Sequence, residues 1–177
     1  DDSFILENKV SVNIPADVSL ANVRNTSDPN AYIHRDRLVR NVIDYIIDEM
    51  GCEYTITPDL TGVDASLDGV ENFLRNTKEG YCVQFASAVT LILRELGVPA
   101  RYVEGYIADE IERISRDDFV YGGYVRDYNA HAWVEVWFDG VGWIQYEATP
   151  QYYTGMYGAT GSADTGPITP VIPDEET

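Results

Sequence analysis

The sequence predicts a single mixed domain in which amphipathic helices are followed by antiparallel strands. Apolar residues recur at helical spacing before residue 100, and they alternate with polar residues between 100 and 147. A turn dipeptide, Asp139-Gly140, separates two of the alternating runs. A chain of 177 residues, 45% of them hydrophobic, is long enough to bury roughly 70% of its unfolded surface in one core.

The charge balance limits the partners of this domain. Asp and Glu number 30 against 12 Lys and Arg, which gives a formal net charge of -18. Nucleic acids and anionic membranes are bound through clustered basic residues, so neither is expected as a partner. No apolar run is long enough to cross a bilayer, and we expect no membrane contact by this segment.

The two ends of the chain are expected to lie outside the main unit. Residues 1–35 are interpreted as an N-terminal arm, with a strand in the alternating run 9–14 followed by a loop. Residues 155–177 form an acidic tail or linker rich in Gly and Pro. Because the sequence opens at Asp1 without Met, we interpret it as a piece of a longer chain with further domains. The catalytic core is predicted to span 36–154.

The first two helices follow from spacing and end signals. Apolar residues at helical spacing precede Gly51, which ends the pattern: Leu38, Val39, Val42, Ile43, Ile46, Ile47 and Met50. The segment 52–67 is interpreted as a loop. Asp68 and Glu71 are spaced like a capping pair and predict a short helix through Leu74.

The third helix has the clearest pattern and carries a cysteine at its start. One apolar stripe consists of Phe85, Ala86, Val89, Ile92, Leu93 and Leu96, and Gly97 with Pro99 ends it. Cys82 therefore lies in or beside the first turn. The segment Ala100 to Ile107 changes to a period of two and predicts a strand.

The remaining strands form a hairpin after a long excursion. Residues 108–129 are charged and irregular, and we interpret them as a long excursion with one short strand. This excursion is where we expect substrate specificity to reside. The strand His131 to Phe138 places His131, Trp133, Glu135 and Trp137 on one face. After the turn at Asp139-Gly140, the segment 143–147 returns as its partner.

Cys82 is the candidate nucleophile. A thiol at a helix N-terminus is near unpaired amides and the positive end of the helix dipole, both of which favour the reactive thiolate. The alternative is a buried cysteine that packs as a small hydrophobe. His131, on a strand face, is the candidate general base. The second cysteine, Cys52, is interpreted as structural; its pairing with Cys82 would block the nucleophile, and the cysteine count leaves this pairing open.

The length of the hairpin connection decides whether Glu147 can assist His131. A two-residue loop at 139–140 would place Glu147 opposite residue 132, facing away from His131. A three-residue loop or a bulge would place it opposite Trp133, diagonal to His131 on the same face. A Cys–His–acid triad therefore requires a connection of odd length or a bulge near residues 139–142.

Three separated blocks closely resemble the core of the transglutaminase-like superfamily over residues 36–150. The first block is Gly80-Tyr81-Cys82 with Phe85-Ala86-Ser87-Ala88. The second block is 93–101 with Gly105-Tyr106. The third block is Asn129-Ala130-His131-Ala132-Trp133-Val134-Glu135-Val136 with the run from Gly142-Trp143 to Thr149-Pro150. The resemblance implies a papain-like α+β fold, in which the helix bearing the nucleophilic Cys packs on an antiparallel sheet. It maps the family's catalytic positions onto Cys82, His131 and Glu147, where the family usually has Asp instead of Glu.

The resemblance also implies thiol acyl transfer on a protein or peptide amide through a thioester. We expect no cofactor, and we do not favour a zinc site at Cys82, His131 and Glu147, because no second Cys or His clusters with them. Members of the family include cross-linking enzymes, peptidases, amidases and non-catalytic modules. The reaction is therefore hydrolysis or transamidation, and the alternative is a binding module within a larger cell-surface protein. The similarity is to bacterial proteins that are often exported, so an extracytoplasmic or cell-surface location is expected.

Overall fold

The computed structural model of the protein describes residues 3–6, 10–13, 18, 20–24, 31–108, 112–114 and 121–152. Helix α1 spans Leu20–Arg24, α2 spans Ala31–Asp44, α3 spans Gly69–Asn72 and α4 spans Cys82–Glu95. Helices α2 and α3 each continue as a π-helical turn, Tyr45–Glu49 and Phe73–Thr77. A short 3-10 helix occupies Asp127–Asn129.

Within the described ranges, the strands form one three-stranded sheet and three two-stranded ones. Strand β1 spans Ser3–Leu6, β2 Val10–Asn13, β3 Glu53–Tyr54, β4 Glu79–Gly80, β5 Ala100–Tyr106, β6 Glu112–Arg113, β7 Tyr121–Gly122, β8 Ala130–Phe138 and β9 Gly142–Tyr146. The main sheet has the order β5-β8-β9 and is antiparallel throughout. The pairs β1-β2 and β6-β7 are also antiparallel, whereas β3 and β4 run parallel.

The core lies between the main sheet and the helices. Helix α4 packs against β5 and β8 on one side and against α2 on the other. Its apolar stripe is fully buried, as are the alternate residues of β8 that face it: Ala132, Val134, Val136 and Phe138. The α+β class with the cysteine-bearing helix on an antiparallel sheet is confirmed.

Several elements differ from the sequence-based expectations. Helix α2 begins at Ala31 and crosses the predicted boundary between residues 35 and 36, because Ala31 and Arg35 extend its buried stripe. The N-terminal region contains β1 and α1 in addition to the predicted strand. The predicted loop 52–67 contains β3, and the described residues of the excursion 108–129 include two short strands, β6 and β7, where one was expected. The predicted tail at 155–177 lies outside the described residues.

Two predicted helix-end signals are confirmed, one at the start of α3 and one at the end of α4. Asp68 caps α3 by accepting a hydrogen bond from the amide of Glu71 at 2.8 Å. Gly97, with a φ of 84°, ends α4 in the left-handed conformation that the sequence signal indicated. Among the described residues, no helix is both long enough and apolar enough to span a membrane.

Candidate active site

Cys82 is the first residue of α4, where backbone amides have no acceptor within the helix. The start of the helix is fixed by a reciprocal contact: the Tyr81 amide donates to Gln84 Oε1 at 3.1 Å, and the Tyr81 carbonyl accepts from the Gln84 amide at 3.0 Å. Gly80 makes room for this contact, because a Cβ there would lie 2.9 Å from Gln84 Cβ. The thiol is thereby held at a defined place, with Cys82 buried.

The β8-β9 hairpin has a three-residue connection. Phe138 pairs with Gly142, which leaves Asp139, Gly140 and Val141 in the turn, and Gly140 adopts the left-handed conformation with a φ of 80°. Continuing this register past β9 places residue 147 opposite residue 133, on the face that carries His131. The connection therefore has the odd length that a triad requires.

Glu147 reaches His131 and is itself held in place. Its Oε2 lies 2.7 Å from His131 Nε2, and its Oε1 accepts a hydrogen bond from the Thr149 amide at 2.8 Å. Both side chains of the pair are almost fully buried, at 5% and 4% exposure. Both carboxylate oxygens are thus used, and the imidazole orientation is fixed through Nε2.

The imidazole of His131 and the backbone amides of Ala132 and Val83 interact with the thiol of Cys82 and stabilise its ionised form. The hydrogen bonds between β5 and β8 involve the odd-numbered residues of β8; the Trp137 amide, for example, donates to the Pro99 carbonyl. The amide of the even-numbered Ala132 is therefore not bonded to β5 and is free to interact with the sulfur. The amide of Ala132 therefore points to the β9 side, where the paired residues end at Tyr146.

The pKa values of Cys82 and His131 are shifted in opposite directions. Burial by itself would raise the pKa of Cys82, but the hydrogen bonds from His131 and from the Ala132 and Val83 amides lower it overall. Burial by itself would lower the pKa of His131, but its contacts with Cys82 and Glu147 raise it to about 9. Both shifts favour a thiolate beside an imidazolium, the reactive form of a cysteine nucleophile.

Aromatic rings enclose the imidazole, and a glycine accommodates one of them. The Tyr152 ring meets His131 edge-on at a centroid distance of 5.0 Å, and Trp133 lies near parallel to it at 6.4 Å. Trp133 also covers Gly105, the β5 residue opposite His131, where an added Cβ would lie 2.6 Å from Trp133 Cη2. Gly105 thus allows the close packing beside the imidazole.

Arg35 is a buried cation that anchors the hairpin, and the sequence analysis did not identify it. It is 2% exposed, and its guanidinium donates to the carbonyls of Trp137 at 2.5 Å and Val23 at 2.8 Å. It also lies 3.7 Å from Asp139 and over the Phe138 ring. The available signal was its position, since residue 35 continues the buried stripe of α2.

Other cysteine and polar groups of the protein have more limited roles in the candidate site. Cys52 and Cys82 are both free and buried, so no bridge blocks the candidate nucleophile. The side chain of Gln84 and the amide of Tyr81 bond to each other, whereas the indole Nε1 of Trp133 is buried without a partner among the described residues. In the described ranges, no group of three or more His, Cys, Asp or Glu residues could hold a metal ion.

Comparisons with known proteins point to one family. A family model described as the transglutaminase-like superfamily matches residues 21–148. An uncharacterized protein YebA of Bacillus subtilis is 38% identical over 101 residues, which cover 56% of this chain and 13% of that protein. A protein-glutamine gamma-glutamyltransferase of Pseudomonas aeruginosa is 39% identical over 100 residues, which cover 55% of this chain and 13% of that protein. The chain thus spans about an eighth of the length of these curated relatives.

The fold is also similar to a solved structure. The crystal structure of the periplasmic domain of TgpA from Pseudomonas aeruginosa, bound to ethylmercury, aligns with a TM-score of 0.52 at 30% sequence identity. The alignment covers 77% of this chain and 46% of that chain.

Proposed function

Because the chain belongs to the transglutaminase-like superfamily, we propose that it is a cysteine-dependent acyltransferase acting on glutaminyl carboxamides of proteins or peptides. The observation that carries the proposal is the continuous contact from Cys82 through His131 to Glu147, at the start of a helix. The name of the Pseudomonas aeruginosa relative, a protein-glutamine gamma-glutamyltransferase, supports the choice of a glutaminyl substrate.

The proposed reaction begins with the thiolate of Cys82. Its sulfur attacks the carboxamide carbon, and His131 gives its proton to the departing nitrogen, so that ammonia leaves and a thioester remains. A primary amine or water then attacks the thioester, the carbon–sulfur bond breaks, and His131 recovers a proton from the attacking group. The electron pair returns to the Cys82 sulfur, which restores the thiolate–imidazolium pair.

Two further groups assist this chemistry. Glu147 stabilises the imidazolium and holds the ring so that Nδ1 faces the thiol, since Nε2 is bonded to the carboxylate. The amide of Cys82 is the proposed donor to the oxyanion, because the first amide of a helix has no intrahelical acceptor. The extra methylene of Glu147, compared with the Asp usual in the family, fits the diagonal position of residue 147.

The setting of the domain is also a proposal. The structural similarity to a periplasmic domain supports an extracytoplasmic location. The small share of the relatives' length that the chain spans supports a unit within a longer protein. We propose a catalytic core that ends at residue 154 and starts at residue 31 instead of 36, because α2 begins at Ala31 and buries both Ala31 and Arg35. The segments before and after this core are proposed as an arm and a linker.

Amine incorporation tests the proposal. The protein is incubated with a glutaminyl peptide, with and without a fluorescent primary amine, and both ammonia release and label on the peptide are measured. We expect release that depends on Cys82 and His131, and label at the glutamine when the amine is present. Release without label would identify a hydrolase. No release, with ordinary slow alkylation of Cys82 by iodoacetamide, would identify a non-catalytic module.

A further inference from the structure

A second acidic side chain, Glu104, lies on β5, the strand that pairs with β8 beside the residues that interact with the thiol. In the β5-β8 register, Glu104 is opposite Ala132 and Gly105 is opposite His131. Ala132 and His131 are the two β8 residues that contact the sulfur of Cys82. Side chains of directly opposed residues share a face, so Glu104 lies on the face of the sheet that packs against α4.

Tyr102 holds this carboxylate in position. Its hydroxyl donates to Glu104 Oε1 at 2.5 Å, two residues along the same face of β5. The charges of Glu104, Cys82 and Tyr81 all act on the phenol, which places it within electrostatic reach of the thiol and of the residue preceding it. Tyr102 is half-buried and Glu104 is exposed, so the carboxylate is fixed yet open to solvent.

Among the described residues, Glu104 has no cationic partner, unlike Glu135, the other carboxylate on these paired strands. Glu135, on the opposite face, accepts from Arg101 Nε at 2.7 Å. Within the described residues, no Lys or Arg is within ion-pair distance of Glu104, and its hydrogen-bond partner is a neutral phenol. A solvent-open carboxylate that is held by a neutral phenol can attract a cation that arrives with the substrate.

We propose that Glu104, positioned by Tyr102, binds the ammonium group of the amine acceptor and so favours transamidation over hydrolysis. This inference rests on the proposed function and assigns a specificity-determining residue to it. A carboxylate next to the thioester raises the local concentration of a cationic amine and not that of water.

The step that follows binding is balanced in atoms and charge. The bound ammonium loses one proton to solvent through Glu104 and becomes a neutral amine. Its nitrogen attacks the thioester carbon, a carbon–nitrogen bond forms, and the carbon–sulfur bond breaks with its electron pair returning to Cys82. The second proton of the attacking nitrogen passes to His131, which regains its charge beside the thiolate.

The experiment measures the KM for acceptor amines at a saturating concentration of glutaminyl peptide. An alkyl amine, which is cationic at neutral pH, is compared with hydroxylamine, which is largely neutral there. For Glu104→Gln we expect the KM of the alkyl amine to rise about three- to tenfold. We also expect a smaller change for hydroxylamine and a lower ratio of incorporated amine to hydrolysed peptide. Tyr102→Phe should shift the alkyl-amine KM in the same direction by less.

Glu95→Gln is the matched control, because it removes one exposed charge at the far end of α4, about 20 Å from Cys82. It should leave both KM values unchanged. An alkyl-amine KM in Glu104→Gln equal to that of Glu95→Gln would overturn the proposal while leaving acyl transfer intact. A rise only in the KM of peptides that carry a basic residue would also overturn it, by assigning Glu104 to the acyl donor. Failure of the proposed function itself would be visible as inactivity of the wild type.

Discussion

Replacing Glu147 with Gln removes the charge that stabilises the imidazolium of His131 but keeps the size of the side chain. The pKa of His131 is raised from 6.5 to about 9, a rise of about 2.5, or about 3 kcal/mol. Cys82 and Glu147 share this stabilisation. If Glu147 supplies about half, the substitution should lower the pKa of His131 by about 1 to 2.

The pKa can be measured directly by NMR, since the chain contains only two histidines, His34 and His131. The imidazole C–H resonances are titrated in the wild type and in Glu147→Gln, with His34→Gln used for assignment and Glu95→Gln as the charge-loss control. We expect the midpoint of His131 to fall only in Glu147→Gln. An unchanged midpoint would refute the role of Glu147 in holding the imidazolium, whatever its distance from the ring.

Three further predictions concern pH, packing and anchoring. Acyl transfer should decline as the pH rises through about 9, because deprotonated His131 cannot protonate the departing nitrogen; a rate that keeps rising beyond that pH would contradict this. Gly105→Ala should cost about 1–3 kcal/mol in urea unfolding and lower acyl transfer about tenfold or more, because the new methyl displaces Trp133. The control Gly69→Ala, which has open space, should be neutral in both assays. Arg35→Met should lower the free energy of unfolding by about 3 kcal/mol, because two buried carbonyls lose their donor. Arg75→Lys, which keeps the charge of an exposed side chain paired with Glu71, should change it by less than about 0.5 kcal/mol, and equal losses would argue against the anchoring role.

The sequence predicts those parts of the site that depend on local patterns. Gly97 and the apolar stripe before it define α4, and counting back along the helix places Cys82 at its start. Alternation in β8 places His131 on a defined face. These features depend on spacing within one element, so they can be recognised without knowledge of tertiary packing.

The position of Glu147 shows where local patterns are insufficient. The sequence allows two positions for the Glu147 side chain, one on each face of the sheet, because one residue more or less in the turn moves this side chain to the other face. Asp139-Gly140 suggests a two-residue turn, yet the left-handed residue of the observed three-residue turn is also Gly140. In this register the hairpin also makes long-range contacts, such as the hydrogen bond from Arg35 to the Trp137 carbonyl. The sequence of the hairpin itself does not indicate these contacts.

Other residues of the site depend on contacts between distant segments. Gly105 is required because Trp133, on a neighbouring strand, lies over it. Thr149 contributes its backbone amide to Glu147, which no side-chain pattern could indicate. The helix α1 and the strand β1 were missed since each is only four or five residues long, which is too short for a period to be recognised.

The central claim, that Cys82 forms a thioester with the help of His131, is tested most directly by trapping the acyl-enzyme. The protein is mixed with a glutaminyl peptide without amine, quenched in acid, and analysed by intact-protein and peptide-mapping mass spectrometry. We predict an adduct on Cys82 with the mass of the peptide less one ammonia, released by hydroxylamine, absent in Cys82→Ala and much slower to form in His131→Ala. Ammonia release without an adduct on Cys82, or an adduct that forms equally fast in His131→Ala, would contradict the claim.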